Sequence, residues 1–194
     1  MKLVVGLGNP GGQYEGSRHN AGFMAADMLH QQAEPSVPYV ERFHGLWALF
    51  QCAGHDVGLL KPQTYMNRSG QAVAQAMSYL QMCDDDLLVL HDDLDLPFGQ
   101  VKVKVGGGSG GHRGLESCFS EIGSQDFARV RMGIGRPVDG DVTQFVLEQF
   151  DADEKEQLSD VVRVAADAAE ETIRAGAVAA MNRFNRRIAE GGKL

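Results

Sequence analysis

LVVGLGNPGGQYEGSRHNAG, residues Leu3 to Gly22, is an apolar run that breaks into a glycine-rich turn and then into the first helical periodicity of the chain. Leu3–Leu7 is too short for a helix and apolar without interruption, the pattern of a strand buried on both faces of a sheet. Gly6, Gly8 and Gly11 spell the G-x-G-x-x-G of dinucleotide-binding folds. In that fold the helix opens directly on the glycines, so that its N-terminus meets the pyrophosphate. Here Pro10, Gly11 and Gly12 prolong the loop, and helical spacing begins only near His19. No second strand follows at the right distance to carry a ribose-binding acid. The loop is instead read as delivering Asn9 and His19 to one neighbourhood.

On either side of that loop the pattern alternates between strands and helices. From about Asn20 to Gln31, Phe23, Met24, Met28 and Leu29 recur at helical spacing. Glu34–Pro38 is a proline-punctuated connection. Gly45–Ala53 and Val57–Leu60 flank Gly54-His55-Asp56 as a hairpin. Ser69–Gln81 is helical, with Val73, Met77 and Leu80 on one stripe and the acidic turn Asp84–Asp86 behind it. Leu87–Leu90 predicts a second buried strand that ends on His91-Asp92-Asp93. Val101, Val103 and Val105 alternate with Lys102 and Lys104 as a half-exposed strand. The loop GGGSGGHRG then leads into a helix from about Leu115 to Ile122. Val130, Met132 and Ile134 alternate with Arg129 and Arg131 as a further strand. A long C-terminal helix runs from roughly Asp153, with Leu158, Val161, Val162, Ala165, Ala169 and Ile173 in register, and Gly176 interrupts it. The expected fold is α/β: a single domain over residues 1–194, a mixed central sheet between helices in three layers, and a disordered tail at about 188–194. Strand ends and glycine loops are expected on one edge, where such sheets bind ligands.

With 43% apolar and 23% charged residues, the 194-residue chain has the composition of an ordinary soluble globule. No apolar run approaches a membrane span, and the N-terminus does not read as a signal peptide, because LVVGLG stops at Asn9-Pro10. Cys52, Cys83 and Cys118 are widely separated and odd in number, which reads as buried thiols in a reducing cytoplasm. The net charge of −8 argues against a general nucleic-acid binder. Its distribution is uneven. Between Pro97 and Arg136 six cations (Lys102, Lys104, Arg113, Arg129, Arg131, Arg136) face Glu116, Glu121 and Asp126, whereas Pro137–Glu171 holds eleven acids against Lys155 and Arg163. That asymmetry fits either a local phosphate-binding patch or a mixed solvated surface.

Gly107-Gly108-Ser109-Gly110-Gly111 matches the G-x-S-x-G elbow of serine hydrolases, but no acid and then histidine follow in the required order. The glycines read better as a loop that lets backbone approach a ligand. His30, His44 and His55 are expected at the surface. A base that activates water needs an accessible imidazole lone pair and a carboxylate on the other ring nitrogen. His19 and Asp92 are placed to supply them, although Asp92 also reads as a turn former within HDDLDLPFG. A metal held by His91, Asp92, Asp93 and Asp95 matches no recognised ligand pattern. Asn9 and Asn67 offer neutral amides suited to a peptide backbone or an oxyanion, and equally to turn or cap duty.

Five motifs occur in one order: G-L-G-N-P-G, Y-x2-S-R-H-N-A-G, K-P-x-T-Y-M-N-x-S-G, H-D-D-L-D-L-P and G-G-G-S-G-G-H-R-G-L. Together, from Lys2 to about Arg187, they resemble the bacterial peptidyl-tRNA hydrolase family. The resemblance implies a cytoplasmic, monomeric enzyme without metal or other cofactor. Its partner would be peptidyl-tRNA, bound through acceptor end and peptide, and it would hydrolyse the ester between them to recycle tRNA from prematurely released chains. By motif, His19 would be the general base, Asp92 its orienting carboxylate, and Asn9 the reader of the peptide amide. Tyr14, Tyr65, Met66 and Asn67 would line the cleft for peptide and terminal adenosine. Lys104 and Arg131 would grip phosphate at the 5′ end of the tRNA, and His112 would help hold the glycine loop. The chain departs from the family at Arg113, where members often carry Asn. Arg only donates hydrogen bonds, so a substrate carbonyl or a phosphate remains within its reach. A relative that grips RNA without cleaving it is the competing reading; the intact His19 and Asp92 weigh against it.

Overall fold

The computed structural model describes residues 1–33, 35, 37–137 and 139–185. Its strands are β1 (Lys2–Gly6), β2 (Val40–Arg42), β3 (Gly45–Cys52), β4 (His55–Pro62), β5 (Leu87–Asp93), β6 (Val101–Val105) and β7 (Ala128–Gly133). They form one mixed sheet in the order β2-β3-β4-β1-β5-β7-β6. The four central strands β4, β1, β5 and β7 run parallel; β2–β3 and β3–β4 are antiparallel across short turns, and β6–β7 are antiparallel with α3 in the connection between them. The helices are α1 (Ala21–Gln31), α2 (Ser69–Leu80), α3 (Arg113–Ile122), α4 (Val142–Leu147), α5 (Ala152–Ala175) and α6 (Ala177–Phe184).

The unbroken apolar run of β1 follows from its place between two helical layers. Leu3, Val5 and Leu7 pack with α2 and α3 residues such as Val73, Met77 and Leu115. Val4 points the other way, into the cluster of Ala25, Ala26 and Leu29 on α1 and Ala165 and Ala169 on α5. The glycines of the opening stretch serve this packing. A Cβ on Gly22 would lie 2.3 Å from the Leu90 carbonyl and 2.5 Å from that of Leu7, and one on Gly6 would lie 2.5 Å from the Gly22 carbonyl. α1 can therefore rest directly on the ends of β1 and β5. It begins ten residues after Gly11, which removes the dinucleotide geometry.

Several expectations change. Residues 142–147 form α4, which the apolar pattern did not single out, and Val40–Arg42 adds an edge strand. The β7 strand ends at Gly133, one residue before Ile134. His30 is buried against Tyr39 and Phe50 rather than at the surface, because α1 packs it under the sheet edge. Of the cysteines only Cys118 is fully buried, which pushes its thiol up to about 12; Cys52 is half-buried and Cys83 exposed. α5 buries nine side chains and is a core element despite its acidic outer face. At the free edge of β6 the Asn185 side chain accepts from Val103 N–H and donates to Val103 C=O, both at 2.8 Å, so it occupies part of the unpaired edge. The tail expected at 188–194 lies outside the described residues. No described helix is long and apolar enough to cross a membrane.

Candidate active site

Asn9 follows β1, Met66 follows β4 and Asp92 lies near the end of β5, so the carboxyl edge of the parallel strands gathers all three. A single 3-10 turn, Arg18–Asn20, brings His19 and Asn20 over them. The carboxylate can only accept, so His19 Nδ1 donates to Asp92, 3.0 and 2.9 Å from its two oxygens. His19 Nε2 makes no hydrogen bond to any described residue. A second imidazole meets the same carboxylate: His112 Nε2 lies 2.9 Å from Asp92 Oδ1. His112 is the N-cap of α3, and its Nδ1 accepts from Gly114 N–H and Leu115 N–H at 3.1 and 3.3 Å. That capping fixes the tautomer with the proton on Nε2, the nitrogen facing Asp92.

Burial alone would drive His19 toward its neutral form, but the charge and hydrogen bond of Asp92 outweigh it and raise the pKa above the ordinary histidine value; Arg113 opposes that rise. Burial likewise opposes ionisation of Asp92, yet His19 and His112 hold its carboxyl far below the usual range. Asp92 is thus a buried, fully hydrogen-bonded anion, and the turn-former reading falls away.

Asn9 is held at both ends. Its side-chain Oδ1 accepts from Met66 N–H at 2.8 Å. Its backbone N–H donates to Asn20 Oδ1 at 2.8 Å and its carbonyl accepts from Asn20 Nδ2 at 3.0 Å. Because a backbone N–H fixes Oδ1 as the acceptor, the half of the Asn9 amide left over is the donor NH2. Asn9, His19 and Asp92 line a cleft of about 290 Å3 with Tyr14, Tyr65, Met66, Asn67, His112 and Arg113; Val142, Thr143, Val146 and Leu147 of α4 form another wall. Tyr65, Asn67 and Arg113 are exposed, and Tyr14 is half-buried. Asn67 sits in a 3-10 turn, Met66–Arg68, and does not cap α2, whose N-cap position is Arg68.

Lys104 and Arg131 line a separate pocket that meets the cleft at Asp93, Ser109 and Gly110. Arg131 Nε donates to Asp93 at 2.7 Å, holding that carboxyl low despite its partial burial. The buried Arg129 guanidinium donates to the carbonyls of Gly106, Gly107 and Gly108, and so anchors the glycine loop. The metal set considered from sequence is not assembled: Asp93 and Asp95 pair with Arg131 and Arg136. Nδ1 of His91 donates to the Asp92 carbonyl, and its ring is pushed down to about 3, burial being the largest cause. Among the described residues the groups close enough to share an ion are His19, Asp92 and His112, within 4.8 Å. In this arrangement the imidazole nitrogens facing Asp92 are hydrogen-bond donors to it. Ser109 Oγ donates to Glu116 and meets no imidazole, so it has no base to make it a nucleophile.

Sequence reasoning missed Asn20, the second bond of His112, Arg129 and the α4 wall. The Asn following His19 was the available signal for the first; the others depend on long-range packing.

A buried His–Asp pair lining a cleft at the carboxyl edge of a mixed α/β sheet is an arrangement suited to activating water, the class of site found in hydrolases. The model of the family described as peptidyl-tRNA hydrolase matches residues 3–191. The peptidyl-tRNA hydrolase of Geobacter sp. (strain M21) is 50% identical over 186 residues, covering 96% of this chain and 98% of that protein. The one from Sorangium cellulosum (strain So ce56) is 47% identical over 194 residues, 98% of this chain and 86% of that protein. The crystal structure of peptidyl-tRNA hydrolase from Acinetobacter baumannii has a TM-score of 0.89 at 36% identity, covering 95% of this chain and 94% of that one. The chain belongs to the peptidyl-tRNA hydrolase family.

Proposed function

We propose that this chain hydrolyses the ester joining a peptide to the terminal ribose of tRNA, with His19 as the general base and Asp92 as its orienting anion. The observation that carries the reading is the pairing of His19 Nδ1 with both Asp92 oxygens while Nε2 stays open toward the cleft. Water bound at Nε2 gives up a proton as its oxygen attacks the ester carbonyl; Asp92 stabilises the imidazolium that results. The proton then passes to the departing ribose oxygen, and free peptide and tRNA leave. General-base help contributes on the order of 10²–10⁴ in rate. Positioning of ester and water supplies much of the rest.

The donor NH2 of Asn9 gives substrate discrimination a physical basis. An N-blocked residue presents a carbonyl acceptor, which that NH2 can satisfy. A free α-ammonium presents only donors, so Asn9 meets it donor to donor. Tyr14, Tyr65, Met66 and Asn67 hold peptide and terminal adenosine, and His112 secures Asp92. Arg113 reaches a carbonyl or phosphate of the substrate. Lys104 and Arg131 grip tRNA phosphate, a contact that positions RNA without reading its sequence. The enzyme works as a cytoplasmic monomer, without metal.

The test mixes N-acetyl-aminoacyl-tRNA, or its unblocked counterpart, with the protein in EDTA. Release of only the blocked amino acid is expected. Salt-sensitive tRNA binding with no release would replace the reading by that of an RNA-gripping module, and activity lost to EDTA and restored by a divalent ion would overturn the metal-free mechanism.

A further inference from the structure

Asn20 occupies the N-cap position of α1, where an asparagine ordinarily accepts from the first amides of its own helix. It makes no such bond. Its whole amide is instead turned onto Asn9, donor to carbonyl and acceptor to N–H, at 3.0 and 2.8 Å. Both residues are buried, at 6% and 7% exposure. We infer that Asn20 is a positioning residue for substrate selection: it braces the Asn9 backbone so that the Asn9 NH2 faces the substrate carbonyl at one fixed angle. The inference rests on the proposed role of Asn9.

The geometry separates this role from a general structural one. Asn9 is fixed at three points: two backbone groups by Asn20, and its side-chain Oδ1 by Met66 N–H. The Met66 bond alone leaves the side chain free to swing about its oxygen, which would spread the NH2 over many directions. Pro10 restricts the Asn9 backbone to extended conformations but supplies no hydrogen bond to it, and Gly8 on the other side adds no restraint, so the two bonds from Asn20 are what tie the Asn9 peptide groups to the helix start. The same 3-10 turn carries His19 to Asp92 and Asn20 to Asn9. Base and selectivity amide are therefore referred to one piece of backbone, and each substrate carbonyl held by Asn9 is held at a set distance from the water on His19.

Asn20→Ala removes both bonds. Asn20→Asp keeps the acceptor for Asn9 N–H but places a carboxylate oxygen against the Asn9 carbonyl. Both variants, the wild type and a control, Leu29→Ala, are compared. Leu29 is a buried core residue of the same helix, and its loss lowers stability without touching the site. The readouts are thermal midpoint, kcat/KM for N-acetyl-aminoacyl-tRNA and for unblocked aminoacyl-tRNA, and the acid limb of the pH profile. The expected result is a 10- to 100-fold (order of magnitude) fall in the blocked-to-unblocked ratio for both Asn20 variants; the acid limb stays in place in Asn20→Ala, because the His19–Asp92 bond is intact and no charge changes, whereas the added carboxylate of Asn20→Asp moves it to higher pH. Leu29→Ala keeps the wild-type ratio. If the Asn20 variants keep that ratio as well, losing only what the Leu29 control loses, the brace has no part in selection and the inference fails. If the wild type itself does not discriminate, the Asn9 reading falls first and this inference with it.

Discussion

Asp92→Asn keeps the shape of the buried side chain and removes its charge, which tests the centre of the proposed chemistry. In the wild type both His19 Nδ1 and His112 Nε2 donate to this carboxylate. An amide has one oxygen and one NH2, so it can accept from one histidine only. With His112 fixed by its α3 cap, the amide oxygen stays with His112 and the NH2 turns to His19. A donor at Nδ1 forces the His19 proton onto Nε2, where the attacking water should be deprotonated. The wrong tautomer in the Ser-His-Asp triad costs about 10⁴ in rate. A base worth about 10²–10⁴ sets the scale here, so kcat/KM near neutral pH should fall by on the order of 10³, about 4 kcal/mol of barrier. The pH profile gives an independent sign. Asp92 raises the His19 pKa, whereas burial and Arg113 lower it. Removing Asp92 therefore moves the acid limb of kcat/KM to lower pH, below about 6.5. Stability should follow the same groups. The lowered Asp92 pKa stabilises the fold above the unfolded carboxyl value of about 3.9 and ceases to as pH falls through the folded value. The raised His19 pKa stabilises it below about 6.5 and ceases to as pH rises through the folded value. The thermal gap between wild type and variant should thus be widest between those limits and shrink on either side. The assay is release from N-acetyl-aminoacyl-tRNA across pH, with thermal melts in the same buffers. Activity within threefold (about 0.65 kcal/mol) of wild type, or an acid limb that stays in place, would refute the His19–Asp92 base.

Three further outcomes are expected. Arg113→Asn removes a charge that lowers the His19 pKa, so its acid limb should move to higher pH, by less in high salt because Arg113 is exposed; a pH–rate series at two ionic strengths checks this. Lys104→Ala should raise KM while leaving kcat near wild type, and should reduce the slope of log K against log salt by about one in tRNA binding; an unchanged slope removes Lys104 from the phosphate contact. Gly22→Ala drives a methyl against the Leu90 and Leu7 carbonyls and should cost about 1–3 kcal/mol or more in a denaturant melt, whereas Gly12→Ala, with nothing within 4 Å, should change stability little.

Much of the site could be read from the chain because its parts lie beside strong local signals. Asn9 follows the apolar run of β1, and Asp92 closes that of β5, so a parallel sheet brings the two ends to one edge. His19 stands where helical periodicity begins, and that position alone suggests a side chain displayed at a helix start. Asn20 has the same address, but its sequence context predicts a cap. Only the approach of α1 to β1, allowed by Gly6 and Gly22, turns its amide onto Asn9 instead. His112 likewise reads as a loop residue until α3 sets it against Asp92. α4 has too few residues to show a helical period, and it forms a cleft wall because the Arg18 guanidinium, held by Glu154 at 2.8 Å, lies over the Phe145 ring.

Local periodicity, turn chemistry and motif made six of the seven described strands, the long helices and the glycine loops legible in the chain, and marked His19 and Asp92 as the candidate base and carboxylate. Tertiary structure decided which donor faces which acceptor: the tautomer of His112, the free half of Asn9, the partner of Asn20, and the arginines that bind the glycine loop and α4. These pairings join residues up to 136 positions apart. Hydrogen-bond direction depends on angles and distances that no spacing along the chain encodes, and it is fixed only when burial leaves each polar group a single partner.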